Sequence, residues 1–480
     1  MTKIFRLLLN LLIVVELVGC TSPSYPGVDK PTYNITETDR QIIDYIDQRL
    51  SGEYYWLDEV HEKSHLFNRN VKWSDYLAAS LRRLSTNEDD GYVNGNGQRV
   101  FYSYIRSIEN QTRATTTGFG IGLYFTVVKI GENEYGFVVD NVYAESPAAE
   151  AGILRGDIIT RINNSAITSS NYNSLFNSIH YNTATSLRLG LRRQIVEGQN
   201  NADYAVTIER GVYESNPVVY SDVIVLESGE RIGYLVYSSF DSAYDEELLD
   251  ALSSMATEGV DYVVLDLRCN RGGNVDSAVT LCSALLGGEH QGDILCTLER
   301  NPRNTSSTAT TSCELEDVGI DVGIESLVVV CSNNTASASE LVITGLRGLD
   351  IPVTLVGTTT EGKNCGMDVT RRKIGDLYLE FAPITFMCYN AKGFGDWGEG
   401  IGADIDLTTE NSLGISDQHY PLPRCAWGDI RHDIGLVAAI AAATEKGVNT
   451  NPQARRLSSQ PITPAYSIPM ESIGIRFDVE

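Results

Sequence analysis

Three polar loops in the second half of the chain each follow a short apolar run of the kind that forms β-strands. They are residues 266–273 (DLRCNRGG), 333–340 (NNTASASE) and 358–363 (TTTEGK). Ligands of parallel α/β sheets gather where the strands end, so we expect the three loops to meet at one edge of a sheet. Two side chains in these loops could carry out covalent chemistry together, Ser337 as a nucleophile and Lys363 as a base.

Ser337 stands between an apolar strand and a helix, a turn that exposes a side chain beside the free N–H groups of the helix N-terminus. A serine hydroxyl is a weak nucleophile and needs a base. The six histidines of the chain all lie outside the three loops, so no Ser-His-Asp arrangement is evident and Lys363 is the available base. Ser339 also flanks Ala338, and the residues alone leave both serines as candidates.

A lysine acts as a base only when its amine is neutral. With an ordinary pKa of about 10.4, only about 0.04% of a lysine is neutral at pH 7. Burial disfavours the ammonium form, and a lowering of the pKa by about three units, equivalent to about 4 kcal/mol, makes a large fraction neutral. We therefore predict that Lys363 is buried.

Acyl transfer also needs N–H donors for the oxyanion of the tetrahedral intermediate. Gly272 or Gly273 can supply one of them, because glycine lets the backbone approach a substrate without an intervening side chain. Ala338 can supply the other. For Asp266 and Arg268, at the start of the same loop, we expect an ion pair that braces the strand end.

The composition narrows the classes of partner. The chain has 480 residues, and 37 Lys and Arg against 63 Asp and Glu give a formal net charge of −26. This balance excludes nucleic acid as a partner and disfavours binding to anionic lipid through charge. Hydrophobic residues make up 42% and charged residues 21%, which is ordinary for a chain of about three folded domains.

The N-terminus predicts export. Residues 1–19 have a basic start and a short apolar run, and with Cys20 they end in LVGC, which resembles the bacterial lipobox. The resemblance implies that Cys20 is lipidated and that the protein is held in the bacterial cell envelope by this anchor. Residues 20–38, rich in Pro, Ser and Thr, predict a tether. Eight further cysteines lie beyond residue 268, an even number that permits disulfides of undetermined pairing.

Residues 39–113 have helical periodicity and predict a small helical domain. Within them, residues 61–65 (HEKSH) match the HExxH pattern of zinc peptidases. On a helix this pattern puts two imidazoles on one face, with Glu62 as base, and Glu88 could add a third ligand. The flanking residues are polar, so a solvated helix face is the alternative reading, and we expect no bound metal.

Residues 114–212 have the pattern of a second domain. Residues 146–159 (SPAAEAGILRGDII) predict a short helix and a tight turn into a strand, and GFGIG at residues 118–122 precedes the first strand. The segment resembles a PDZ domain, in which a peptide adds as an extra strand and its carboxylate is held by a Gly-rich loop. We expect Gly120, Ile121 and Gly122 to bind peptide, and a Gly-rich turn without a ligand is the alternative.

The three polar loops resemble those of the S41 serine peptidases, the carboxyl-terminal processing protease family. Its motifs are a DLRxNxGG strand end, a SASASE-type serine turn and a Gly-Lys after the next strand, and all three occur here in that order behind the PDZ-like segment. The resemblance implies a multidomain α/β protein. It has a crotonase-like (ClpP/crotonase) catalytic domain over residues 213–445, a PDZ-like domain and a small N-terminal helical domain, with residues 446–480 as a peripheral tail.

The resemblance also implies the activity. It predicts a serine endopeptidase with a Ser-Lys dyad that cleaves protein or peptide substrates without a metal or organic cofactor, and it selects Ser337 over Ser339 as the nucleophile. One position departs from the family. Many members have a glutamine four residues after the lysine that helps to position it, where this chain has Met367, and Asn364 is a candidate replacement. A peptide-binding homologue without catalysis is therefore the main alternative.

Overall fold

The structure is a computed structural model. It describes residues 34–93, 97–108, 117–180, 185–193, 202–423, 425–444, 463–464 and 475–478. Cys20 and most of the predicted tether lie outside the described residues. No helix in the described part of the chain is both long and apolar enough to cross a bilayer.

The first described region is mainly helical. Its elements are α1 (Glu37–Gly52), α2 (Leu57–Lys63), α3 (Trp73–Leu81), β1 (Tyr92–Val93), β2 (Arg99–Val100) and β3 (Tyr104–Ile108). Thr36 and Asp39 form a capping box that begins α1. The sequence predicted helices throughout residues 39–113, whereas residues 104–108 form a strand that pairs with a distant part of the chain.

The PDZ-like region follows. Its elements are β4 (Thr117–Gly120), β5 (Leu123–Lys129), β6 (Tyr135–Val142), α4 (Pro147–Glu150), β7 (Ile158–Ile162), β8 (Ser165–Ala166), α5 (Tyr172–His180), β9 (Ser186–Arg193), β10 (Ala202–Glu209) and β11 (Gly211–Glu214). Strands pair in the order β10-β9-β7-β6-β5 around a core that includes Phe125, Phe137 and Phe176. β4 and β11 pair with each other where the chain enters and leaves this region.

The largest region contains two sheets. Its elements are β12 (Val218–Val225), β13 (Arg231–Tyr237), α6 (Asp245–Glu258), β14 (Tyr262–Asp266), α7 (Val275–Leu286), β15 (Ile294–Arg300), β16 (Thr310–Glu314), β17 (Leu327–Cys331), α8 (Ala338–Gly348), β18 (Val353–Gly357), β19 (Cys365–Ile374), β20 (Leu377–Ala382), β21 (Ile384–Asn390), β22 (Ile405–Asp406) and α9 (Ile434–Thr444). The tail adds β23 (Thr463–Pro464) and β24 (Ile475–Asp478).

The first sheet has the order β12-β13-β14-β17-β18-β22, parallel from β13 onward. β17 is buried along its whole length, as expected for a parallel strand with both faces covered. α7 and α8 pack on one face and α9 on the other. The carboxyl ends of β14, β17 and β18 lie side by side, so the loops that follow them share one edge.

The second sheet has the order β16-β15-β21-β19-β20-β3. Its residues Leu298 and Phe386 join the core beneath α7 and α8, while Met367 and Phe381 share a second core with α1–α3. The N-terminal helices therefore pack directly on the peptidase region. The predicted tail also returns to the body, because β24 pairs with β19 and β23 pairs with β5.

Candidate active site

The three polar loops meet at the carboxyl edge of the parallel sheet. The hydroxyl of Thr335 donates to the carbonyl of Leu267 (2.8 Å), and the backbone N–H of Ala336 donates to the carbonyl of Asn270 (3.1 Å). The N–H of Glu361 donates to the carbonyl of Thr335 (3.0 Å). These bonds fix the serine turn against both neighbouring loops, as the sequence predicted.

Ser337 precedes the first residue of α8 in an unusual backbone conformation. Its φ is 63° and its ψ is −116°, a combination that a residue with a side chain rarely adopts. The residue is buried. Strained backbone of this kind persists only where the surroundings enforce it, and it concentrates at functional sites.

Glu340 joins the serine turn to the lysine loop, and the sequence analysis did not single it out. Its Oε2 accepts the backbone N–H groups of both Ser337 and Lys363 at 2.8 Å, so these two nitrogens lie at most twice that distance apart. Its Oε1 accepts the N–H of Gly362 (2.8 Å) and the hydroxyl of Thr360 (2.5 Å). The signal was present, because a Glu three residues after a Ser is a capping-box pattern.

Lys363 is buried, with 2% of its surface exposed, which confirms the prediction of burial. Among the described residues its Nζ has no hydrogen-bond partner, and this atom lies 4.6 Å from the centre of the Tyr102 ring. Burial lowers the pKa of the amine from its ordinary value. The amine therefore has the environment that a neutral lysine base requires.

The glycine loop lies directly against the serine. A Cβ on Gly272 would lie 2.7 Å from the Cβ of Ser337 and 2.9 Å from the N of Ala338, so no larger residue fits there. The N–H of Gly272 donates to Oδ1 of Asn270 (2.8 Å). Gly273 forms an isolated β-bridge with Phe240. The two hydrogen bonds of this bridge involve the residues on either side of Gly273, and neither uses the N–H of Gly273 itself. Of the two glycines, Gly272 therefore has its N–H engaged, whereas these bonds leave the N–H of Gly273 unused.

The remaining site residues have defined partners. The hydroxyl of Ser339 donates to the carbonyl of Asn270 (3.0 Å) and braces the loop. Asn364, the candidate replacement for the family glutamine, donates its amide to the carbonyl of Gly395 (3.0 Å). Met367 is fully buried in the core shared with the N-terminal helices. Neither residue holds the lysine amine.

The predicted HExxH residues do not share a helix. α2 ends at Lys63, and His65 lies on a separate 3₁₀ turn. His61 contacts the carbonyl of Ser51 (2.8 Å) through Nε2, and His65 contacts the carbonyl of Glu62 (3.0 Å). Among the described residues, no group of three or more His, Cys, Asp and Glu side chains is arranged to hold a metal ion.

The strand end before the glycine loop is braced by buried charge, as predicted. Arg268 donates from Nε to Asp266 (2.9 Å) and from Nη1 to Asp433 (2.8 Å). Arg155 of the PDZ-like region also reaches Asp433 (3.6 Å) and stacks over Trp427, 3.5 Å from the ring centre. The PDZ-like region thus contacts the same charged cluster that supports the catalytic loop.

The Gly-rich loop of the PDZ-like region lies beside β5. Gly120 pairs with Gly211, the carbonyl of Ile121 accepts the N–H of Ala148 (2.9 Å), and Gly122 has a φ of 75°. A Cβ on Gly122 would lie 2.2 Å from that of Ser146, so this close turn requires glycine. The loop leads directly into the strand beside which a peptide is expected to bind.

Two segments of the chain match known protein families. The family model described as Peptidase family S41 matches residues 231–387, and one described as a PDZ domain matches residues 138–193. A "Probable CtpA-like serine protease" of Staphylococcus aureus (strain bovine RF122 / ET3-1) is 25% identical over 379 residues, covering 76% of this chain and 68% of the relative. A protein of the same description from Staphylococcus epidermidis is 26% identical over 373 residues, covering 73% and 68%.

Relatives of the same description from Staphylococcus aureus strains COL, MSSA476 and MW2 are matched over 57% of their length. Among solved structures, one described as an S41 protease of Bacteroides fragilis superposes with a TM-score of 0.61 at 22% identity, over 83% of this chain and 96% of the other. The fold and the family matches define a serine-type peptidase with a PDZ domain. The chain therefore contains a Peptidase family S41 domain over residues 231–387 and a PDZ domain over residues 138–193.

Proposed function

We propose that the protein is an endopeptidase in which Ser337 and Lys363 form the catalytic dyad. The observation that carries this proposal is the bond of one Glu340 oxygen to the backbone N–H of both residues, combined with the buried, unpartnered amine of Lys363. The proposal also interprets the parallel sheet with helices on both faces as the crotonase-like arrangement of the family.

The proposed reaction has two steps. The Oγ of Ser337 attacks the peptide carbonyl while Lys363 takes the proton of the serine hydroxyl. The N–H groups of Gly273 and Ala338 stabilise the oxyanion that forms. Lys363 then protonates the leaving amine, which departs and leaves an acyl-enzyme. In the second step Lys363 activates a water molecule that hydrolyses the ester and regenerates the serine.

The proposed substrates are exported proteins with unstructured or C-terminal segments. Such a segment would pair with β5 and place its carboxylate at Gly120, Ile121 and Gly122, as PDZ domains bind peptides. A lipid on Cys20 would hold the enzyme in the cell envelope, facing its substrates.

The test is hydrolysis of an unfolded protein by the mature chain and by single variants. Ser337→Ala and Lys363→Ala should each lower kcat by at least about 10³-fold, since dyad members act as a unit. Ser339→Ala and His61→Ala are the matched controls and should retain most activity.

Each alternative predicts a different result. An inactive peptide-binding homologue gives no turnover and no labelling of Ser337 by a fluorophosphonate. A zinc peptidase is inhibited by chelators, loses activity in His61→Ala and keeps it in Ser337→Ala. Either pattern would overturn the proposal.

A further inference from the structure

The wall of the Lys363 pocket is built by the N-terminal region. The Tyr102 ring covers the amine, and it is itself 3% exposed. The carboxylate of Asp90 is fully buried, and it binds Ser103, the residue that follows Tyr102 in the chain. Both residues come from the segment between α3 and β3, so residues outside the matched S41 segment of 231–387 surround the proposed base.

Asp90 is held firmly. The hydroxyl of Tyr54 donates to its Oδ2 (2.7 Å), and Ser103 donates its backbone N–H to Oδ1 (2.8 Å) and its hydroxyl to Oδ2 (2.7 Å). The N–H of Ile384 on β21 donates to the same Ser103 hydroxyl (2.9 Å). The network ties the carboxylate to the sheet that carries the lysine loop.

The charges around the amine act in opposite directions. Burial and Arg271 favour its neutral form, whereas Glu361 and Asp90 favour the ammonium. Asp90 and Lys363 form no ion pair, so the carboxylate acts on the amine by electrostatic attraction over a longer distance. Burial thus favours the neutral base, while the two carboxylates favour its protonated form.

Proton transfer from Ser337 creates an ammonium in this pocket. The face of an aromatic ring attracts such a cation, most strongly where water is excluded, and a buried carboxylate nearby adds to that attraction. Neither Met367 nor Asn364 forms a hydrogen bond with the amine, and Asn364 donates its amide to Gly395.

We propose that Asp90 and Tyr102 are positioning residues that hold the Lys363 side chain and stabilise its protonated form during the reaction. The inference rests on the proposed function, since it assigns a role relative to the Ser337–Lys363 dyad. It makes the N-terminal region a necessary part of the active site.

The test compares Tyr102→Leu, Tyr102→Phe and Asp90→Asn with wild type in steady-state hydrolysis over pH 5–9. Tyr102→Leu removes the ring and should lower kcat about tenfold or more with KM within about twofold, because cation–π attraction at a desolvated site is strong. Tyr102→Phe keeps the ring and should restore kcat to within about threefold of wild type.

The pH profile separates this role from a structural one. Loss of either compensating group should shift the acidic limb of kcat/KM to lower pH, because the lysine then loses its proton more readily. Tyr45→Leu is the matched control, since it removes a buried tyrosine from the same core. It should reduce thermal stability without moving this limb.

The test distinguishes failure of the proposed function from failure of the present inference. If Ser337→Ala or Lys363→Ala remains active, the proposed function is wrong. If both are inactive while Tyr102→Leu keeps the kcat and the acidic limb of wild type, only the present inference fails. Should Asp90→Asn not fold, the comparison of Leu with Phe at position 102 still decides the matter.

Discussion

At the scale of single residues, the buried side chain of Glu340 organises the site through its hydrogen bonds. One carboxylate satisfies four donors from the serine turn and the lysine loop. Burial raises its pKa to about 7 in spite of these bonds. The two proposed catalytic residues are therefore set in place by a side chain that need not touch the substrate.

The contact between Gly272 and Ser337 makes a sharp prediction. Gly272→Ala should lower kcat at least about 10²-fold, because the new Cβ must displace Ser337 and its φ of 100° is strained for alanine. The measurement is kcat on an unfolded protein substrate. Gly402→Ala is the control, since its Cβ meets nothing within 4 Å. Equal kcat for the two variants would contradict the geometry.

A second prediction concerns Asp140, a carboxyl of β6 whose pKa burial raises to about 7. Because the folded protein binds this proton more tightly than the unfolded chain, Asp140 stabilises the fold at low pH, and that contribution is lost as the pH rises through about 7. Asp140→Asn removes this term. Its unfolding free energy relative to wild type should rise between pH 5 and 7, by up to about 1.4 kcal/mol per pH unit.

Urea unfolding of both proteins at pH 5, 6 and 7 provides the measurement. Asn can still accept the bond that Thr126 donates to the Asp140 carboxylate (2.7 Å), so the packing is preserved. A difference in unfolding free energy that stays constant with pH would show that the carboxyl titrates normally.

At the scale of elements, the local patterns predicted most of the parallel sheet. The short helix and the strand predicted within residues 146–159 are found as α4 and the start of β7, and the tight turn between them contains Gly156 with a φ of 88°. The meeting of the three loops followed from the rule on parallel strands. Ser337, Lys363 and the glycines were therefore within reach of sequence reasoning.

The second sheet could not be predicted from the sequence. β3 pairs with β20 across about 270 residues of chain, and no local pattern encodes such a partner. The same pairing brings Tyr102 and Asp90 to Lys363. Glu340 was missed for another reason, since a charged residue in the first turn of a helix is ordinarily a solvated cap.

Strand register makes a prediction about the cysteines, whose pairing the sequence left open. Cys296 on β15 lies directly opposite Cys313 on β16. Directly opposite residues of antiparallel strands have Cα atoms about 4.5–5.5 Å apart, within the range of disulfides. Mild oxidation with copper-phenanthroline should cross-link this pair.

Peptide mapping under non-reducing conditions would identify the linked peptides. Cys313→Ser should abolish the cross-link, and Cys425→Ser, at a distant interface, should leave it unchanged. Absence of the Cys296–Cys313 link in oxidised wild type would contradict the prediction.

At the scale of the whole molecule, each region contributes to one edge of the parallel sheet. The peptidase region supplies the serine and the lysine, and the N-terminal region covers the amine. The PDZ domain adds Arg155 to the buried charge cluster beneath the glycine loop. An isolated peptidase region would lose its pocket wall, which explains why the core of α1–α3 is continuous with that of β19–β21.

The pairing of β23 with β5 makes the last prediction. Thr463 and Pro464 lie opposite Lys129 and Val128, on the edge of the PDZ sheet beside which a peptide would add. Removal of residues 446–480 should therefore increase the affinity of the PDZ domain for a substrate-derived peptide by about tenfold or more, since tethered segments compete at about millimolar effective concentration. Fluorescence anisotropy with a labelled peptide measures this, and unchanged affinity would refute it.

If the C-terminal segment competes in this way, the same contact sets a threshold for substrate binding. A substrate C-terminus that fits the PDZ site poorly would not displace the protein's own C-terminal segment, which is covalently attached. A longer, well-matched substrate segment would displace it. Discrimination between abundant non-substrate proteins and true substrates would then depend on the C-terminal segment of the enzyme itself.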